Sequence, residues 1–269
     1  QKTNDQASKL LSTIKRIAAA AGVTTLVRSF LDFSDTQAQI NARLNLMNDG
    51  FQTTNELSEM IYQSALRSKA AYSDTADAVG NMGLNAGNAF SSNQELIAFT
   101  EQVNKQFKIG GASAQEQSNA MVQLTQAMAA GVLRGQDLNS ILAAAPGIAR
   151  TIEESMGWAS GSIKQYAEDG KVTAQVVKNA LLDMADQTNQ KFESIPMTLS
   201  DAMTQAQNIV QHEVKQMAQS WNDFIHTDQG QEVLGEAISL LSVMAQVGTD
   251  ALSGIGSAAL FVADNMDMI

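Results

Sequence analysis

Residues 111–182 read GASAQEQSNAMVQLTQAMAAGVLRGQDLNSILAAAPGIARTIEESMGWASGSIKQYAEDGKVTAQVVKNALL, and they decide the fold because nearly every helix start and stop is written in residues of known backbone preference. Ser113 stands three residues before Glu116. At that spacing a hydroxyl caps a helix while the carboxylate reaches back to the cap's own N–H. A helix is expected from there, with Met121, Val122, Leu124, Ala127 and Met128 on a 3.6-residue repeat and Gly131 as a left-handed stop. After the Leu133-Arg134-Gly135 turn, Asp137 is placed to cap a second helix carrying Leu138, Ile141 and Leu142. Pro146 disfavours helical geometry at Ala145, so that helix ends there, and Pro146 opens another through Thr151, Ile152 and Met156 that Gly157 closes. A short helix around Ile163 to Glu168, a turn at Gly170 and a Thr173-capped helix bearing Val176, Val177, Ala180, Leu181 and Met184 complete the stretch. These residues specify packed helices and no chemistry.

The same grammar extends toward the N-terminus. Residues Asp5 to Leu31 place Leu10, Leu11, Ile14, Ile17, Leu26 and Phe30 at helical spacing, as in an amphipathic packing helix. Ser34 with Gln37 has capping-box spacing for a helix through Ile40, Leu44 and Met47, closed by Asn48-Asp49-Gly50. Thr53 with Glu56 opens one long helix through Leu57, Ile61, Ala65, Tyr72, Ala76 and Val79, after which Gly80, Gly83 and Gly87 loosen the chain. Ser92 with Glu95 starts a helix through Ile97, Phe99, Val103 and Phe107, and Gly110-Gly111 separates it from the central stretch. Toward the C-terminus, Ile195-Pro196 marks a hinge and Thr198 with Asp201 restarts the chain.

From Met203 the pattern changes. Met203, Gln207, Val210, Val214, Met217, Trp221 and Phe224 alternate steps of four and three, and a second alternation runs through Leu234, Ile238, Leu241, Ala245, Gly248, Leu252, Ile255, Ala259 and Val262. A seam sustained over about five heptads points to a supercoiled helix that needs partner helices. A homo-oligomer and an internal helical hairpin both satisfy that need. The organisation expected is therefore all-α: an N-terminal helical region at 1–110, a compact module at 111–195, and long heptad-patterned helices at 196–269.

Charge separates the same regions. The net charge is −11, and all 17 Lys and Arg occur at or before Lys215, leaving a purely acidic C-terminal segment. Such a balance disfavours a nucleic-acid surface, since phosphate contacts need clustered cations. The cadence around Gly157 to Val172 resembles a helix-turn-helix, but Lys164 beside Glu168 and Asp169 makes a poor groove reader. There are no cysteines, hence no disulfides or thiolate metal sites. No apolar run reaches the 18 residues of a membrane span, although Ala251 to Ala263 is nearly uncharged and leaves contact with a host membrane open.

Residues of catalytic type are present without catalytic spacing. His212 and His226 lie 14 apart with no metal-ligand pattern, Glu153-Glu154 and Glu168-Asp169 read as surface charge, and GxxxxGK[ST] and GxSxG are missing. No catalytic residue, cofactor or metal is expected.

QLTQAMAAGVLRG, the Asp137 helix leading to Pro146, the Met156-Gly157 stop and Glu168-Asp169-Gly170-Lys171-Val172-Thr173 together resemble the N-terminal conserved domain of tape measure proteins from long-tailed bacteriophages and prophages. The resemblance extends upstream through DTQAQINARLNLMNDGFQTTNELSEMIYQSALRSKAAYSDTADAVGNMGLNAG and downstream from Met197 to Phe224. It implies a structural virion component inside the tail tube, present in the host cytoplasm during assembly, whose length dictates tail length and which leaves ahead of DNA at ejection. It also implies contacts with tail tube protein, tail assembly chaperones and tail tip or baseplate proteins. The long helical repeats of complete family members are missing, so the chain is expected to be a fragment. An unrelated helical interaction module, or a membrane-active one, is the alternative expectation.

Overall fold

The computed structural model describes residues 36–209, 211 and 212, and among these the chain is all-α. The Asp5 to Leu31 helix, the Ser34 cap, His226 and the whole seam from Leu234 to Val262 lie outside the described residues. The helices are α1 (36–47), α2 (Thr54–Ser68), α3 (Tyr72–Ala86), α4 (Asn93–Gly110), α5 (Ala114–Ala130), α6 (Gly135–Ala144), α7 (Pro146–Met156), α8 (Ile163–Glu168), α9 (Ala174–Asp183), α10 (Ala185–Glu193) and α11, which starts at 199. A single 3-10 turn, Gly87–Ala89, follows α3.

Most of the written punctuation is used as read. Thr53 and Ser113 form reciprocal capping boxes with Glu56 and Glu116, and Thr173 caps α9 through the Val176 N–H. Gly131 and Gly157 end α5 and α7 at φ +80° and +65°, the left-handed geometry that an L side chain adopts at a cost. Pro146 occupies the first turn of α7, immediately after the end of α6.

Three expectations are corrected. Asp137 caps nothing: α6 begins two residues earlier, with Arg134 as its N-cap and Asp137 inside the first turn, where its charge still suits the helix dipole. The single helix from Thr54 to Val79 is two. Lys69 sits at φ +53° and ends α2, and the chain turns through Ala70 and Ala71 before α3 begins. No Gly or Pro announces that break; long-range contacts described below hold it. Gly80 and Gly83, finally, lie inside α3, where they let α1 come close. A Cβ on Gly83 would meet the Met47 side chain at 2.6 Å, and one on Gly80 would meet Arg43 at 3.4 Å.

Helix α4 is the axis of the assembly, contacting α2, α3, α7, α9 and α10. Phe99, Val103 and Phe107 are fully enclosed and anchor one core that takes in Leu57, Ile61, Val79, Met82, Leu124, Ile141, Ile148, Ile152, Val177 and Leu181. The turns before α6 and α9 are stitched together by a lone antiparallel bridge between Val132 and Thr173, with the Leu133 N–H donating to the Val172 carbonyl at 2.8 Å. Residues on both sides of Gly111 thus share one hydrophobic interior.

Candidate functional site

Polar residues make up much of α4, yet the helix is buried around its circumference from Phe99 to Phe107, so its polar groups must find partners inside. Glu101 accepts a bidentate contact from the Arg67 guanidinium, the shorter arm at 2.6 Å, and a second charge-assisted bond from Lys105 Nζ at 2.7 Å. Burial pushes the Glu101 carboxyl up, but the Arg67 and Lys105 contacts outweigh it and hold the group below its ordinary value. Lys105 also donates to Asn189 Oδ1 at 2.7 Å and lies 5.7 Å from the centre of the Phe192 ring, with Lys69 over the same ring at 4.8 Å. One turn on, the Gln106 amide bridges Thr188 at 2.9 Å and Thr151 at 3.2 Å. Side chains from α2, α7 and α10 thereby converge on one face of α4. Every cation and carboxylate in the cluster is spent on another member of it, an arrangement that fixes helix orientation.

A second polar cluster holds α11. Thr198 and Asp201 form a reciprocal cap: the Thr198 N–H donates to the Asp201 carboxylate at 3.0 Å and the Asp201 N–H to the Thr198 hydroxyl at 3.1 Å. The same carboxylate takes Lys108 Nζ from the end of α4 at 2.6 Å. Burial raises the Asp201 carboxyl, but Lys108 and Thr198 together outweigh that and hold it down at about 2. Gln205 Nε2 donates to the Leu66 carbonyl at 2.9 Å, Asn208 Nδ2 donates to the Ala70 carbonyl at 2.8 Å, and Asn208 Oδ1 accepts the Tyr72 N–H at 2.8 Å. Lys69 Nζ reaches the Ile195 carbonyl at 3.2 Å, at the hinge. These bonds satisfy backbone groups freed where α2 stops and α3 starts. They are also why a chain without Gly or Pro can break at Lys69.

The large apolar residues of α11 lie on its outer side. Leu199 is 81% exposed and Met203 59%, whereas Asp201 and Asn208 are 5% and 1% exposed. The helix is docked by its polar face.

Other residues of catalytic type have structural tasks or lie at the surface. Glu153 is not surface charge as the sequence suggested. It is buried, and its carboxylate accepts the Ile163 N–H at 2.9 Å, tying α8 to α7. Its neighbour Glu154 is exposed, as are Glu168 and Asp169. Trp158 stacks on Tyr166 with ring centres 3.9 Å apart, and Lys171 lies over the same Tyr166 ring. His212 is half-buried at the end of the described part of α11. Among the described residues no group of three or more His, Asp or Glu could hold a metal ion, and no helix is long and apolar enough to cross a membrane.

A family model described as "Tape measure protein" matches residues 28–219, more than half of the chain. The chain belongs to the tape measure protein family. The match covers all of α1 to α11 as described, so both the α4 axis and the docked α11 are parts of the tape measure domain. The family gives the protein a structural part in a phage tail. No curated protein and no solved structure matches the chain.

Proposed function

We propose that this tape measure chain sets the length of a phage tail, with the α1–α11 body as a rigid head and the heptad-patterned sequence after it as the start of the ruler. The observation that carries this reading is the family match over the whole helical body. It is supported by the contrast between that body and the acidic seam Leu234, Ile238, Leu241, Ala245, Gly248, Leu252, Ile255, Ala259 and Val262. A helix rises about 1.5 Å per residue, so an extended bundle of such helices converts residue number into length directly. In this scheme copies associate through the seam, tail tube protein polymerises around the bundle with the help of assembly chaperones, and tip or baseplate proteins hold one end. Assembly takes place in the host cytoplasm, and the finished ruler occupies the tube lumen until it leaves ahead of DNA. The task is mechanical and asks for no bond-making step or cofactor.

In-frame deletions within the heptad-patterned stretch test the proposal. Removing about 28 residues should shorten tails by about 42 Å in electron micrographs. Tails of unchanged length would reject it.

A further inference from the structure

The turn between α1 and α2 holds an aromatic ring out in water. Phe51 is 82% exposed, and every other Phe, Tyr and Trp among the described residues is buried or half-buried. Leu46, in the last turn of α1, is 74% exposed. Both belong to one tip, across which Asn45 Oδ1, beside Leu46, accepts the Thr54 hydroxyl at 3.2 Å. A lone exposed apolar residue on a loose loop carries no message. This turn is not loose. Asn48 Oδ1 accepts the Gly50 N–H and Gln52 Nε2, both at 2.9 Å, while Asn48 Nδ2 donates to the Gln52 carbonyl at 2.8 Å. Asp49 Oδ1 accepts the Phe51 N–H at 3.2 Å and Gln52 Nε2 at 2.7 Å. Two further bonds clamp the tip to the first turn of α4: Asp49 Oδ2 accepts the Asn93 N–H at 2.8 Å, and Gln52 Oε1 accepts Gln94 Nε2 at 3.0 Å. The backbone under Phe51 is thus fixed to the central helix of the body, and the ring is left outside.

Charge narrows what the ring can meet. The sequence has no Lys or Arg from Leu44 to Leu66, while Asp49, Glu56 and Glu59 are all exposed there. Arg43, the nearest cation before that stretch, is engaged by Asp77. We infer that the Leu46–Phe51 tip is a docking point for a different protein, one that offers an apolar socket to the Phe51 ring with lysine or arginine at its rim. An aromatic side chain on a backbone already held in place gives up little freedom on binding, and a few such anchors carry most of the energy of a protein interface. Acidic collars on two copies repel, so like tips do not pair. The inference goes beyond the ruler reading and rests on it only for where the partner is sought, in the assembled tail.

The test places the photocrosslinker p-benzoylphenylalanine at position 51 in tails assembled from the altered protein. Irradiation should join it to a tail protein other than this chain, at a peptide with Lys or Arg beside the crosslinked residue. The same probe at Leu46 should reach the same protein, which keeps the test open if position 51 does not accept the probe. At Gln175, exposed on α9, it should not reach that peptide. Asn48→Ala, added to the probe-bearing chain and shown by circular dichroism to remain folded, frees the turn but keeps the ring, and should cut the crosslink several-fold; a merely sticky residue would crosslink as before. No crosslink from either tip position overturns the inference. So does a crosslink only to a second copy or to another part of this chain, a crosslinked peptide without cations, or an unchanged yield with Asn48→Ala. Tail lengths in the deletion series do not depend on this tip, so the two readings fail separately.

Discussion

Helix α4 is enclosed from Phe99 to Phe107 and has its charged groups paired inside the body, whereas α11 touches the body through Asp201, Gln205 and Asn208 and turns Leu199 and Met203 to solvent. Both are amphipathic in sequence. What separates them is which face the rest of the molecule uses. An apolar stripe shows where a helix has something to bury but does not name the partner; only the polar contacts show whether that partner is the chain's own core. Scattered exposed apolar residues are ordinary on any surface, so the informative half of the α11 geometry is the buried polar side.

The largest effect should come from the centre of the α4 side of this contrast. Phe99→Ala removes a fully buried ring and should cost about 3–5 kcal/mol in a denaturant titration, enough to threaten the whole fold. A smaller loss, of about 3 kcal/mol, is expected for Glu101→Ala, which strands Lys105 in the interior. Glu101→Ala with Lys105→Met should recover part of it, and a double variant no more stable than Glu101→Ala alone would mean that the pair is not the source of the cost. The smallest effect is the pH dependence that Asp201 lends to the docking of α11. Asp201 is held near 2 in the folded protein against an ordinary 3.8, so it binds fewer protons folded than unfolded. Its contribution is complete above pH 3.8 and is lost as pH falls through 2. The protection factors of the α11 amides, taken against the intrinsic exchange rate at each pH, should therefore fall across that window, and Lys108→Met should weaken the dependence.

Much of the fold could be read in advance because its signals are local. Ser113 with Glu116, Pro146, Gly157 and Thr173 each act within one turn of themselves, and each does in the structure what its chemistry suggested. The failures share a cause in distance. The break at Lys69 depends on Gln205 and Asn208, more than 130 residues away. Glycines 80 and 83 looked like interruptions because the approach of α1 cannot be seen from within α3. Glu101, Gln102, Lys105 and Gln106 have the composition of a solvated face, and only the arrival of α2, α7 and α10 makes them interior. Glu153 was missed for the same reason, its partner Ile163 lying ten residues on across a turn. For α11 the sequence did carry a signal in the Met203, Gln207, Val210 spacing, but not the fact that the opposite face would be the docked one.

Whether α11 is held to the body by its polar face is decided by hydrogen exchange with mass spectrometry on Gln205→Ala/Asn208→Ala against the unaltered chain. Protection should fall over residues 199–212 and around Lys69 to Tyr72 while α4 keeps its protection. Unchanged protection in α11, or its loss across α4 as well, would contradict it.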